Sequence, residues 1–233
     1  MLSTRRLQVS KSSRPGILIL GITLALCLTA FMVPSDAQAQ AKVGTTGAQF
    51  LELGVSARAM GMAEAYTAVA DDISALYYNP AGLVYMYGRE ATFSIINMPA
   101  DINYYFGAIG LPLESIGGVL GISAYTLTSG DMIETDYTTY DPQAGTGRTF
   151  SYDDFAFAVS YGRYLTDRFS VGLSVKYIGE FTHDYSASGW SADVGTNYDT
   201  GFRSFTIAMV ITNFGPDMRM IADDYPLPIN FKF

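Results

Sequence analysis

Apolar positions alternate with small or polar positions along residues 169–181. One parity is apolar, with an aromatic ring at each end: Phe169, Val171, Leu173, Val175, Tyr177, Gly179 and Phe181. The other parity is mostly small or charged: Ser170, Gly172, Ser174, Lys176, Ile178 and Glu180. Because successive side chains of a strand point to opposite faces, the pattern predicts a strand with one apolar face. Tilted by ~45°, it would span roughly 28 Å of membrane, near the ~25 Å apolar band of outer-membrane barrels.

Similar alternation recurs along the chain and predicts about eight strands separated by turn-forming residues. We place them at residues 89–97, 103–113, 117–128, 154–165, 169–181, 187–199, 202–213 and 227–233. The polar stretch 129–151 is predicted to be a long loop, and residues 166–168 a tight turn. Since outer-membrane barrels keep long loops outside and short turns in the periplasm, the turn and the N-terminal part of the chain are expected on the periplasmic side. The final alternation up to Phe233 resembles the signal that barrel-assembly machinery reads.

A different pattern precedes the strands, in residues 42–88, which we call the N-terminal segment. Ala, Gly and Met are frequent there, no alternation is present, and short helix-like pieces are separated by Gly54, Gly61 and the Asn79-Pro80 pair. This composition predicts a small, partly helical plug placed before a barrel.

The first 41 residues have the features of a cleaved signal peptide. Basic residues precede an apolar run at 17–33, and two small-x-small cleavage sites follow, at residues 37–39 and 39–41. A membrane anchor is the alternative, since the run is at the lower limit of a spanning length. Cys27 is the only cysteine and lies within this run, so an exported chain is expected to have no disulfide.

Composition and charge agree with a membrane barrel. The chain has 17 Tyr, 14 Phe and 23 Gly residues with only 15% charged residues, an enrichment typical of transmembrane strands. A soluble β-sandwich also alternates, but it would carry charged residues rather than Ser, Gly and Ala on its second face. The net charge of −8 excludes nucleic acid as a partner, because no basic patch is available for phosphates.

Candidate chemistry is sparse, so we expect neither an enzyme nor a bound cofactor. His183 is the only histidine, and its parity puts it on the outward face, away from any serine that it could activate. Asp131, Glu134, Asp136 and Asp141 offer oxygen ligands for calcium, but their spacing fits no EF-hand. A solvated acidic loop without metal is the simpler interpretation.

The N-terminal segment carries the candidate site residues. Asp71 and Asp72 are predicted to cap a helix over residues 73–77, and Arg58, the only basic residue in 44–83, is expected to pair with them as a latch in a low-dielectric lumen. Asn79, Pro80, Ala81 and Gly82 predict a rigid corner, with direct ligand contact as the alternative. Tyr77 and Tyr78 either line a path for an apolar ligand or pack the plug against its wall.

Two of these motifs also suggest a family. GVSARAMGMAEAYTAVADD followed by ISALYYNPAGL resembles the opening of the PorV/PorQ family of outer-membrane proteins, and NPAGL is similar to the hatch of FadL-like channels. Ala63 stands where the family pattern has Gly. The resemblance implies a bacterial outer-membrane barrel of about fourteen strands with an N-terminal hatch. Some members carry secreted cargo in the type IX secretion system, and FadL-like relatives pass hydrophobic molecules.

Strand number and plug size conflict in this chain. A barrel of about eight strands has an interior just wide enough for side chains, so it has no room for residues 42–88. We therefore expect a C-terminally truncated chain, with residues 89–233 as an incomplete all-β antiparallel transmembrane barrel. The predicted function is transport or protein secretion support at the outer membrane, with lipid and secreted cargo as partners. Uptake of hydrophobic compounds and a structural or adhesin barrel are the alternatives.

Overall fold

The structure, a computed structural model, describes residues 46–137, 141, 145–182 and 185–233. The predicted signal peptide and His183 lie outside these residues. Eight strands form one antiparallel sheet in the order β1-β2-β3-β6-β7-β8-β9-β12. Their bounds are β1 Glu90–Asn97, β2 Asn103–Leu113, β3 Gly118–Thr128, β6 Tyr152–Thr166, β7 Phe169–Thr182, β8 Tyr185–Asp199, β9 Thr206–Phe214 and β12 Asn230–Lys232. Two small ladders stand apart from this sheet: β4 Met132–Ile133 with β5 Thr149–Phe150, and β10 Met218–Arg219 with β11 Asp224–Tyr225.

The predicted antiparallel β fold is confirmed, and each predicted strand has a counterpart. Two strands begin three or more residues later than predicted. β9 begins only at Thr206 because residues 200–205 form a turn in which Arg203 has a φ of 55°. The predicted strand 227–233 is shortened to β12, which begins at Asn230. Pro228 has no N–H to donate to a ladder, and the N–H of Ile229 bonds to the carbonyl of Leu227. The predicted loop 129–151 contains the β4–β5 ladder.

The sheet buries its small and polar face and exposes its apolar face. Along β7, Ser170, Gly172 and Ser174 are buried, whereas Leu173 and Val175 on the other parity are about half exposed. The same alternation of buried and exposed residues runs through β3, β6, β8 and β9. We call the buried side the inner face and the exposed side the outer face.

The described part of the N-terminal segment, residues 46–88, covers the inner face. It contains the short helices Ala57–Gly61 and Ala75–Tyr78 and the 3₁₀ helices Gln49–Glu52 and Pro80–Tyr85. Its apolar residues form one buried cluster with inner-face side chains of the sheet, and this cluster includes Phe50, Leu51, Tyr66, Leu76, Tyr78, Leu83, Tyr104, Phe106, Tyr125 and Ile178. The predicted helix over 73–77 begins later, at Ala75, and ends at Tyr78.

The segment extends along the strands. The N–H of Ala48 bonds to Glu180 near the C-terminal end of β7, and Pro80 lies against Gly172 near its beginning. Eight residues of strand separate these points, or about 26 Å. The expectation that the plug lies at the end of the tight turns is therefore wrong for the described residues, because the segment reaches from that end to the end beside loop 129–151.

The sheet is open in the part of the chain that the structure describes. β1 and β12 are its two edge strands, and neither pairs with a further strand there. At the β12 edge, residues 63–68 and Phe231, Lys232 and Phe233 surround a cavity of about 430 Å³. None of the helices formed by the described residues has the length and apolar composition needed to cross a membrane.

Candidate functional site

Asn79 fixes the corner at which the N-terminal segment turns towards β1. Its side chain is fully buried, and its Oδ1 accepts the N–H of Ala81 at 3.1 Å, which caps the 3₁₀ helix Pro80–Tyr85. Its Nδ2 donates to the carbonyls of Thr67 at 2.9 Å and Thr196 at 3.2 Å. One carboxamide thus joins the corner to the rest of the segment and to β8. Pro80 stands at the first helical position, where a missing N–H costs nothing.

The corner rests on glycines of three neighbouring strands, which we call the glycine seat. Gly162, Gly172 and Gly195 are paired directly across β6, β7 and β8 and all face inward. A Cβ on Gly172 would lie 2.1 Å from the carbonyl carbon of Pro80, and one on Gly195 would lie 2.1 Å from Oδ1 of Asn79. The segment therefore packs on bare strand backbone, a close approach that only glycine permits.

Two further contacts extend this seating. Ser170, two residues before Gly172, donates its hydroxyl to the carbonyl of Ala81 at 3.1 Å. A Cβ on Gly121 of β3 would lie 2.4 Å from Leu76 of the segment. None of these glycines was predicted as a site residue, although each lies on the small and polar side of its strand, and this recurrence in neighbouring strands is a signal that could have found them.

Arg58 and the two aspartates meet in the structure, but in a different environment from the one expected. Nη1 of Arg58 lies 2.5 Å from Asp71 and 3.4 Å from Asp72. The side chains of Arg58 and Asp71 are each about half exposed. The expectation of a latch in a low-dielectric lumen is therefore corrected, because water screens a pair at this exposure and reduces its contribution to stability.

Asp72 has the more structural role of the two aspartates. Its Oδ1 accepts the N–H of Ser74 at 2.9 Å, just before the helix Ala75–Tyr78, and its Oδ2 accepts the hydroxyl of Tyr66 at 2.8 Å. Partial burial would raise the pKa of Asp72, but the hydrogen bonds from Ser74 and Tyr66 and the charge of Arg58 outweigh burial, so the pKa lies below its ordinary value. Burial and the bond to Asp72 raise the pKa of Tyr66 to about 12.

Tyr77 and Tyr78 are packing residues in this structure. Both are buried, and their rings meet edge to face with centroids 4.7 Å apart. The hydroxyl of Tyr77 donates to the carbonyl of Leu51 at 3.0 Å, and that of Tyr78 donates to Glu64 at 3.3 Å. The sequence allowed these rings either to line a path for an apolar ligand or to pack the plug against its wall. In the structure they fill the space between the segment and the sheet.

A buried ion pair lies on the inner face beside these rings. Nζ of Lys176 is 2.8 Å from Oδ2 of Asp193, and the two side chains are 3% and 0% exposed. Asn213 completes the group, since its Oδ1 accepts from Lys176 at 2.7 Å and its N–H donates to Asp193 at 2.8 Å. Lys176, Asn213, Leu51 and Tyr77 line a cavity of about 40 Å³. The alternation places Lys176 on the inner face, but nothing in it identifies Asp193, on the next strand β8, as its partner.

The acidic loop shows internal pairing. Glu134 accepts from Nε of Arg148 at 2.6 Å and from its Nη2 at 2.8 Å, and from the hydroxyl of Thr146 at 2.8 Å. Within the described residues, no three His, Cys, Asp or Glu side chains come together as a metal site.

Comparison of the chain with protein-family models, curated proteins and solved structures finds no match.

Proposed function

We propose that the eight-stranded sheet is part of the wall of an outer-membrane β-barrel, and that residues 46–88 occupy its lumen. The observation that carries this proposal is the apolar outer face. The outward residues of its central strands are large and exposed: Phe157, Val159, Leu173, Val175, Tyr177, Trp190, Val194, Met209 and Ile211. A surface this continuous and apolar is rare on soluble monomers, whereas lipid-facing strands require it.

The composition of the inner face also supports a transmembrane barrel. A soluble sandwich buries apolar faces against each other, but this sheet buries Ser160, Ser174, Lys176 and Asp193 and leaves the apolar parity uncovered among the described residues. Polar residues inside and apolar residues outside are the arrangement of a transmembrane barrel. Because eight strands leave an interior only wide enough for side chains, a wall that surrounds residues 46–88 needs more strands than these.

Within this class, a role of the PorV/PorQ type in protein secretion is favoured over uptake of hydrophobic compounds. An uptake channel needs a continuous apolar route, but Tyr77, Tyr78 and Leu76 are buried in the contact between segment and sheet, and the glycine seat leaves no gap beneath Pro80. The loop between β3 and β6 carries its own β4–β5 ladder and an ion pair between Glu134 and Arg148. It is therefore a structured element that a secreted partner could contact.

Trp190 provides the test of the membrane orientation. It is the only tryptophan of the chain, it lies on the outer face opposite Tyr177, and it is 57% exposed. We expect phospholipids brominated on their acyl chains to quench its fluorescence strongly in reconstituted vesicles, and iodide in the aqueous phase to quench it weakly.

The matched control moves the fluorophore to the loop. In the variant Trp190→Phe/Tyr137→Trp, the new tryptophan replaces a fully exposed loop residue, and we expect iodide to quench it and brominated acyl chains to have little effect. Strong iodide quenching of Trp190 itself would overturn the membrane proposal.

The secretion role is tested at the same loop. Replacing residues 131–149 by a short Gly-Ser linker removes the β4–β5 ladder without touching the inner face. We expect Trp190 to stay quenched by brominated lipid while delivery of secreted proteins to the cell surface, measured by surface proteolysis, is lost. Normal delivery by this variant would contradict a secretion role and leave the membrane orientation intact.

A further inference from the structure

Two carboxylates face each other on the inner face, close to the start of the N-terminal segment. Asp154 of β6 and Glu180 of β7 are direct cross-strand partners, and they are 3% and 4% exposed. Directly opposed residues in an antiparallel pair have Cβ atoms about 4.5–5.5 Å apart, and like charges in these positions repel. Two ionised carboxylates in this buried arrangement are costly unless a positive charge neutralises them.

The described residues supply no positive charge for this purpose. The cross-strand neighbours of the pair are Leu127 on β3 and Ala187 on β8. Along the inner face of β7 the nearest cation is Lys176, four residues or about 13 Å from Glu180, and it is bound to Asp193. No ion pair joins Asp154 or Glu180 to any residue in the described ranges.

One carboxylate oxygen of the pair is left without a partner beside an open space. Oδ1 of Asp154 is buried and has no hydrogen-bond partner among the described residues. Asp154, Glu180 and Tyr152 line a cavity of about 250 Å³ together with residues 46–50. The hydroxyl of Tyr152 donates to Oε1 of Glu180 at 3.4 Å, so a phenolic oxygen also lies beside the two carboxylates.

We propose that Asp154 and Glu180 bind a divalent cation of the calcium type in this cavity. Calcium takes carboxylate, hydroxyl and water oxygens in flexible geometry, which suits two cross-strand carboxylates with a tyrosine and room for water. With only two carboxylates, the affinity falls in the range of weak extracellular sites, a Kd of about 10⁻⁴–10⁻³ M. The site faces inward, so it does not depend on what covers the outer face.

The cation also holds the first turn of the N-terminal segment. Oε1 of Glu180 accepts the N–H of Ala48 at 2.7 Å, and Oε2 accepts the hydroxyl of Tyr225 at 2.6 Å. Gly47 donates its N–H to the carbonyl of Pro226 at 3.0 Å. A cation that holds the carboxylate of Glu180 in place therefore fixes the segment to β7 and to the residues around β11.

The experiment measures thermal unfolding of the folded protein in detergent micelles, first in EDTA and then with increasing CaCl₂ at pH 7.5. We expect a saturable rise in Tm of about 5–10 °C when calcium exceeds Kd by about a hundredfold, and no such rise with NaCl at matched ionic strength. Asp154→Asn removes the repulsion, so we expect this variant to be at least as stable in EDTA and to lose the calcium response. Glu180→Gln, which keeps an acceptor for Ala48, should lose the response as well.

Asp153→Asn is the matched control. Asp153 is adjacent in sequence but has the opposite parity, and it bonds to the hydroxyl of Ser151, so this variant should keep the full calcium response. The proposal is overturned if the unmodified protein shows no calcium effect beyond that of NaCl, or if Asp154→Asn and Glu180→Gln respond as strongly as Asp153→Asn.

Discussion

Replacing Lys176 by Met is expected to lower the free energy of unfolding by about 3–5 kcal/mol, because it strands the carboxylate of Asp193 as a buried, unpaired charge. Asp193 is 0% exposed, and Lys176 lies 2.8 Å away. Met fills a similar volume, so the loss arises from the charge and not from a cavity. Urea unfolding of the folded protein in micelles, followed by Trp190 fluorescence, measures the change.

Two variants separate this effect from ordinary loss of a salt bridge. Lys176→Met/Asp193→Asn removes both charges and keeps an acceptor for the N–H of Asn213, so we expect it to recover about 2 kcal/mol or more of the loss. Arg58→Met breaks a half-exposed pair and should cost less than about 1 kcal/mol. Equal losses for Lys176→Met and Arg58→Met would show that the inner-face pair is not buried in the folded protein.

The second large effect is expected from Gly172→Ala in the glycine seat. The added methyl group would lie 2.1 Å from the carbonyl carbon of Pro80 and 2.2 Å from the nitrogen of Ala81. These are backbone atoms of a proline-fixed corner, so they cannot rotate away as a flexible side chain would. Overpacking of this kind costs about 1–3 kcal/mol and occasionally more, and we expect about 3 kcal/mol in the same urea unfolding measurement.

Gly107→Ala is the control for this substitution. Gly107 lies within β2 on the opposite, outer face, where a Cβ would meet only Phe93 at an ordinary contact distance of 3.7 Å. Alanine restricts the unfolded chain more than glycine does, so here the change should be neutral or stabilising by about 0.5 kcal/mol. The two glycine substitutions are thus expected to have opposite signs, and equal effects would rule out the glycine seat.

Alternation predicted the strands well because it is a local property. A side chain two positions along lies on the same face, so the parity of Leu173 and Val175 or of Ser170 and Ser174 follows from the sequence alone. Strand ends were less predictable. Whether residues 202–205 continue a strand depends on the backbone of Arg203, which adopts a left-handed conformation that no hydrophobic pattern records.

The site was predictable only in part, because parity assigns a face and not a partner. Arg58 was the single basic residue near Asp71 and Asp72, so their pairing could be proposed by elimination, but their exposure depends on how the segment packs. Glu180 and Asp154 appeared as polar positions on two strands, and their opposition depends on the β6–β7 register. The sequence also suggested either contact or packing for Tyr77, and that choice required the positions of Leu51 and Tyr125.

The contacts between the N-terminal segment and strands β6, β7 and β8 also constrain the order of folding. Ala48 is bound by a residue 132 positions later, and Asn79 by one 117 positions later; contacts over such distances form slowly, since the intervening chain must first be closed into a loop. Residues 46–88 are synthesised before β6, β7 and β8, and the contacts of Pro80 with Gly172 and of Asn79 with Gly195 cannot form until those strands are present. Residues 46–88 and strands β6, β7 and β8 are therefore expected to complete their packing together and late in folding, since neither side of this contact is filled without the other.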